Sequence, residues 1–175
     1  MTARLRELIP AERIQAKVAE LGAQISADYH GKQLILVGVL KGAFMFLADL
    51  ARAITVDTRI DFVRLSSYGM KDRPQGLQFT MDISLPTDAS HLLIVEDIID
   101  TGRSLAFLTE HLRARGAASV KTCTLVDKTC RREVEMKADY AGFCLNDGFL
   151  VGYGLDYAEN HRALPGIFEL MVEGQ

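Results

Sequence analysis

Five oxygen-bearing side chains crowd one short stretch of the chain: Glu96, Asp97, Asp100, Thr101 and Ser104, with Gly102 and Arg103 among them. Together they could hold a phosphorylated sugar. Thr101 and Ser104 supply hydroxyl donors for phosphate, and Gly102 lets the backbone come close to it. A bare phosphate would repel Glu96 and Asp97. Those two carboxylates suit sugar hydroxyls, or a divalent metal, a few ångströms away.

The surrounding residues are the kind that would place such a loop. Residues 92–95 form a short apolar run, as in a strand buried on both faces of a parallel sheet. After the loop, Leu105, Leu108 and Leu112 share one helical face, and Gly116 is a natural stop. Ligands of open α/β sheets bind beyond the carboxyl ends of the strands. A helix beginning there offers free N–H groups and a positive dipole end to an anion.

Further elements frame this centre. Pro10, Ala11 and Glu12 start a helix whose apolar face is Ile14, Val18, Leu21 and Ile25. Residues 33–39 read as a buried strand. Leu40-Lys41-Gly42-Ala43 then turns into a helix through Phe44, Leu47, Ala48 and Ala51, where Lys41 and Gly42 could form a second anion site or a plain structural turn. Residues 59–65 read as a strand with Ile60 and Phe62 on one face. A polar connection, 66–76, leads to a return strand at 77–83, with Arg64, Lys71 and Arg73 as its cations. Strands follow at 120–126 and 140–145, and 167–172 reads as an edge strand. Taken alone, Lys128 is a surface lysine, Phe149 a core residue, and Arg131 with Arg132 a solvated basic cluster without a role.

The bulk numbers narrow the class. A chain of 175 residues suffices for one domain with a substantial core. The net charge of −3 and the lack of a long charge run argue against nucleic acid or an anionic membrane as partner. No stretch is apolar enough to span a bilayer, and the first residues lack a signal peptide's apolar core. Cys123, Cys130 and Cys144 form no Cys-x-x-Cys pair and read as reduced thiols of a cytoplasmic protein, with Cys123 and Cys144 buried in strands.

The run Glu96-Asp97-Ile98-Ile99-Asp100-Thr101-Gly102 resembles the phosphoribosyl-pyrophosphate motif of the type I phosphoribosyltransferases, most closely its hypoxanthine-guanine branch. The resemblance extends from Val39 to Arg162. It implies an α/β fold, a Rossmann-like, mostly parallel sheet flanked by helices. A flexible lid hairpin and a small hood built from the chain's ends would complete it. Residues 1–175 would form one domain, with a core at about 33–145 and a hood from about 1–15 and 146–175.

The resemblance also distributes roles. Asp100, Thr101, Gly102, Arg103 and Ser104 would hold the 5-phosphate, with Ile98 and Ile99 in the same motif, and Asp100 would be the general base near purine N7. Val39-Leu40-Lys41-Gly42 is similar to the family's pyrophosphate loop, which often holds a cis peptide before the lysine. Ser67 and Tyr68 match a Ser-Tyr pair in the lid. Lys128 would donate to the 6-oxo group, Phe149 stack on the base, and Leu150 offer backbone groups to its edge. Arg162 would contact pyrophosphate. Asp156 falls in the same base-site motif and would meet magnesium; Glu96 and Asp97 are further candidate metal ligands, and Mg2+ is the implied cofactor. This sequence departs from the common pattern at Arg103, Ser104 and Leu150 and in a short lid.

The activity implied is transfer of 5-phosphoribose from phosphoribosyl pyrophosphate to N9 of a 6-oxopurine, giving IMP or GMP and pyrophosphate, by a homodimer or homotetramer. A xanthine-preferring transferase and a non-catalytic protein that senses the sugar pyrophosphate or a nucleotide are the alternatives.

Overall fold

A computed structural model describes residues 3–68 and 76–172. Two sheets organise them. The larger has six strands in the order β4-β3-β2-β5-β6-β7. These are β2 (Leu34–Leu40), β3 (Thr58–Tyr68), β4 (Gly76–Met81), β5 (His91–Ile99), β6 (Ser119–Lys128) and β7 (Tyr140–Leu145). All neighbours in it are parallel except β3 and β4, which form an antiparallel hairpin. The smaller sheet has the order β1-β9-β8, with β1 (Ala3–Ile9), β8 (Leu150–Val151) and β9 (Ile167–Val172). It is built from the two ends of the chain.

Alternation along the strands decides which core each residue enters. On β2, Leu34 and Leu36 join the core beneath α1 (Ala11–Asp28) and α2 (Phe44–Ala53), while Ile35, Val37 and Val39 join the core beneath α3 (Arg103–Ala114). On β5, Leu93 and Val95 take the first side, Leu92 and Ile94 the second. A strand covered on both faces needs apolar residues throughout, which is why these runs do not alternate with polar ones.

α1 begins as expected. The Pro10 carbonyl accepts from the N–H groups of Arg13 and Ile14, and Ile14, Val18, Leu21 and Ile25 are all buried. Four expectations need correction. β9 lies between β1 and β8, so it is the middle of its sheet and not an edge. α2 buries Phe46, Leu47 and Leu50 and leaves Phe44 exposed. Ile60 is exposed, whereas Asp61 beside it is buried, receiving N–H groups from Phe62, Ser84 and Leu85 and the Ser84 hydroxyl. Cys144 is exposed because β7 ends its sheet, while Cys123 is buried in β6. Of the lid, β3 and β4 are described and residues 69–75 lie outside the described residues, as do the side chains of Ser67 and Tyr68.

Candidate active site

The order of the large sheet reverses between β2 and β5: the chain moves from β2 outward to β3 and β4, then returns to β5 and proceeds to β6 and β7 on the other side. Loops leaving the carboxyl ends of β2 and β5 therefore diverge, and a crevice opens between them. Two adjoining cavities occupy it. The larger, about 750 Å³, includes Lys41, Lys128, Phe149, Asp156 and Arg162 in its lining. The smaller, about 260 Å³, includes Glu96, Thr101, Gly102 and Ser104. Asp97, Ile98 and Asp100 line both.

The smaller cavity has the build of an anion cradle. Gly102 has φ 83° and caps α3, so the chain turns sharply from strand to helix and aims the helix start at the cavity. Residues 129–136 brace it from behind. Glu133 and Val134 donate their N–H groups to the Thr101 carbonyl. Arg132, mostly buried, pairs with Asp127 and donates to the carbonyls of Met136 and Lys128. Arg132 is thus a structural brace and not part of a solvated cluster. The Arg103 side chain also departs from expectation: it pairs with Glu133 at 2.5 Å and lines neither cavity.

The acidic pair sits within β5, not after it. Burial, and then the neighbouring Asp97 charge, push the Glu96 carboxyl well above its ordinary range. Burial raises Asp97 too, partly opposed by hydrogen bonding from Glu96 and the Ile98 N–H. Two adjacent carboxylates so placed gain from any partner that brings hydroxyl donors or positive charge. Asp100 spends one oxygen on Arg131 at 3.1 Å, and its Oδ1 is buried without a partner.

The larger cavity joins three loops. The Leu40–Lys41 peptide is cis. Gly154 lies so close to the loop after β2 that a β-carbon on it would overlap the Gly42 carbonyl oxygen. Lys41 pairs with Glu159 at 3.0 Å, and Arg162 with Asp156 at 2.8 Å. Lys128 is buried and donates to the Gly148 carbonyl at 2.6 Å. Phe149 is half exposed, braced edge-on by Tyr157 at 5.4 Å between ring centroids, so its ring stays open to a planar partner. Leu150 is buried behind it. Ile98 lines the wall, and Ile99 is buried. His161 is exposed. Sequence reasoning missed Arg131 and Glu169, which also line this cavity. Neither carries a local signal, since both are brought there by packing between distant segments.

Among the described residues no group of three or more His, Cys, Asp or Glu side chains could hold a metal ion. Glu96, Asp97 and Asp156 therefore do not form a single protein cage.

A strand–acidic pair–loop–helix cradle beside a cavity with a lysine and an open aromatic ring could receive a phosphorylated sugar next to a planar ring. Residues 6–158 match the phosphoribosyl transferase domain, and the chain belongs to that family. It is a phosphoribosyltransferase enzyme. It is 44% identical over 170 residues to the hypoxanthine phosphoribosyltransferase of Haemophilus influenzae, covering 95% of each chain. It is 42% identical to that of Escherichia coli, covering 94% of each. A hypoxanthine-guanine phosphoribosyltransferase structure from Bacillus anthracis superposes with TM-score 0.91 at 40% identity, over 97% of this chain and 100% of that one. A hypoxanthine phosphoribosyltransferase structure from Staphylococcus aureus gives TM-score 0.91 at 41% identity, over 95% and 91%.

Proposed function

We propose that the enzyme transfers 5-phosphoribose from phosphoribosyl pyrophosphate to N9 of hypoxanthine or guanine, releasing pyrophosphate and forming IMP or GMP for purine salvage. The observation that carries this reading is the shared wall. Asp97, Ile98 and Asp100 face both the anion cradle and the cavity holding Lys128 and Phe149, so sugar and base would meet at that wall. The names of the relatives point the same way.

In this mechanism the 5-phosphate sits at Thr101, Gly102 and Ser104 on the start of α3. Glu96 and Asp97 accept the ribose hydroxyls and fix the sugar while its anomeric carbon gains oxocarbenium character. Lys41 and Arg162 receive charge developing on the departing pyrophosphate. Phe149 stacks on the base and the Leu150 backbone meets its edge. Lys128, which has donors and no acceptor, reads the 6-oxo group and rejects an amino group. Asp100 Oδ1 takes the purine N7 proton. The lid carrying Ser67 and Tyr68 closes over the centre and excludes water, the competing nucleophile.

Mg2+ fits the donor set. It is commonly held by one or two carboxylates together with substrate phosphates and not by an all-protein cage, and Asp156 with the acidic pair supplies such carboxylates. When bound it would neutralise charge on the pyrophosphate. The protein would work in the cytoplasm, and no helix among the described residues is long and apolar enough to cross a membrane. Exposed Phe44 on α2 and Ile60 on β3 offer apolar surface for a homodimer or homotetramer.

The test is product formation from phosphoribosyl pyrophosphate and magnesium with hypoxanthine, guanine, xanthine, adenine, uracil and orotate. Turnover with hypoxanthine or guanine is expected. Tight binding of the sugar pyrophosphate with no turnover on any base would make the protein a sensor instead, and preference for xanthine would correct the base.

A further inference from the structure

Glu159 bridges Lys41 and Arg162, two cations that line the larger cavity. One carboxylate oxygen, Oε2, lies 3.0 Å from Lys41 Nζ and 3.2 Å from Arg162 Nη2. These two cations come from separate loops, one after β2 and one after β8, and a single anion bridges them. They are also the two side chains assigned above to pyrophosphate.

The loop is shaped to hold that carboxylate there. Glu159 has φ 66°, and Ala158 and His161 have φ 49° and 74°, a left-handed backbone that non-glycine residues rarely adopt. The Glu159 N–H donates to Asp156 Oδ2 at 2.8 Å. Arg162 is fixed independently, with Nη1 donating to the Gly154 carbonyl at 2.7 Å and Nη2 paired with Asp156. Hydrogen bonds from Lys41 and then Arg162 hold the Glu159 carboxyl below its ordinary range.

We propose that Glu159 is a tethered anion that stands in for pyrophosphate in the free enzyme and must be displaced when pyrophosphate or the sugar pyrophosphate binds. This rests on the reading given under the proposed function. The charges support it: Lys41 and Arg162 are balanced by Asp156 and Glu159, so the free enzyme needs no outside anion there. The exposures indicate which group leaves. The Glu159 side chain is 65% exposed, against 46% for Lys41 and 20% for Arg162. Glu159 can return to water at little cost, while Arg162 stays. A pyrophosphate, with several charged oxygens, outcompetes one carboxylate, and the returning carboxylate helps expel it as product. Glu159 thus sets how tightly the leaving group is held.

The test is titration calorimetry of pyrophosphate with magnesium into wild type, Glu159→Gln and Glu159→Ala, alongside steady-state kinetics. Both variants should bind pyrophosphate about two- to tenfold more tightly, the scale of opening two exposed ion pairs. KM for phosphoribosyl pyrophosphate should fall while KM for the base holds, and the gain should shrink as salt is raised. In a Lys41→Gln background the Glu159→Gln gain should diminish. Unchanged or weaker pyrophosphate binding in both variants, with wild type active on a base, overturns this inference alone. A wild type that neither binds pyrophosphate nor turns over any base overturns the proposed function with it.

Discussion

Gly42 lies against Asp97 so closely that a β-carbon on the glycine would overlap the Asp97 Oδ2 atom. The loop after β2 and the acidic end of β5 are thereby locked together. The contact is with the end of the Asp97 side chain, so an added methyl group must push that carboxylate aside. Gly42→Ala should displace Asp97 or open the Lys41 loop, raising KM for phosphoribosyl pyrophosphate at least about tenfold, as steric change at a positioning contact does. Steady-state kinetics checks this, with thermal unfolding to show that the variant folds.

Asp100 presents a buried, unpartnered oxygen where the two cavities meet. Asp100→Asn should retain binding of the sugar pyrophosphate and lose about 10²–10⁴-fold in kcat, the usual scale for general base catalysis. Single-turnover rates separate the two quantities, and unchanged turnover would remove Asp100 from the mechanism.

Lys128 is buried and tied to the Gly148 carbonyl. Lys128→Gln replaces three donors with a group that both donates and accepts. Discrimination between oxo- and aminopurines should relax, read as the ratio of kcat/KM for guanine and adenine. If adenine stays unused and guanine use stays intact, Lys128 does not read the base.

Arg132 never touches the cradle's ligand side, yet it anchors the segment that supports Thr101. Arg132→Ala leaves Asp127 buried without its ion pair, a loss of about 3–5 kcal/mol for a broken buried pair. A lower Tm and a raised KM for phosphoribosyl pyrophosphate are expected, with base KM little affected. A normal Tm would mean that the brace carries no energy.

Asp61 gives a pH signature. Burial opposes its ionisation, but N–H groups from Leu85, Phe62 and Ser84 and the Ser84 hydroxyl outweigh it and hold the carboxyl below its ordinary value. A carboxylate with a lowered folded pKa stabilises the fold above its unfolded pKa of about 3.9, and that contribution is lost as pH falls through the folded value. Asp61→Asn should cost about 1–3 kcal/mol at pH 7. The gap from wild type should close below about pH 4. Denaturant unfolding at pH 7 and pH 3 measures it.

Much of the centre was legible because its signals are local. The apolar run 92–95, the polar loop and Gly102 follow one another directly, and each constrains the next. The parallel sheet was legible for the same reason, since strands covered on both faces are continuously apolar. The rest depends on neighbours far away in sequence. β1 mixes Arg4, Arg6 and Glu7 with Leu5, Leu8 and Ile9 and pairs with β9 about 160 residues on, so no local pattern announces it. Nor could 167–172 reveal that β1 and β8 would flank it. Cys144 looks apolar in sequence but lies on a strand that ends its sheet. Arg132 reads as solvated until Asp127 is brought beneath it, whereas Arg131 is exposed as read but reaches Asp100.

The small sheet also fixes an order of events. β1 is made about 160 residues before β9, its only partner in the described sheets. Such a pairing closes a very long loop and gains nothing until both strands are present. Strands β2 to β7 can assemble meanwhile and carry the acidic pair and the cradle with them. A nascent chain halted before residue 167 would therefore hold the sugar-phosphate loop while β8, next to Phe149, still lacked its neighbouring strand, so the base site matures after the sugar-phosphate loop.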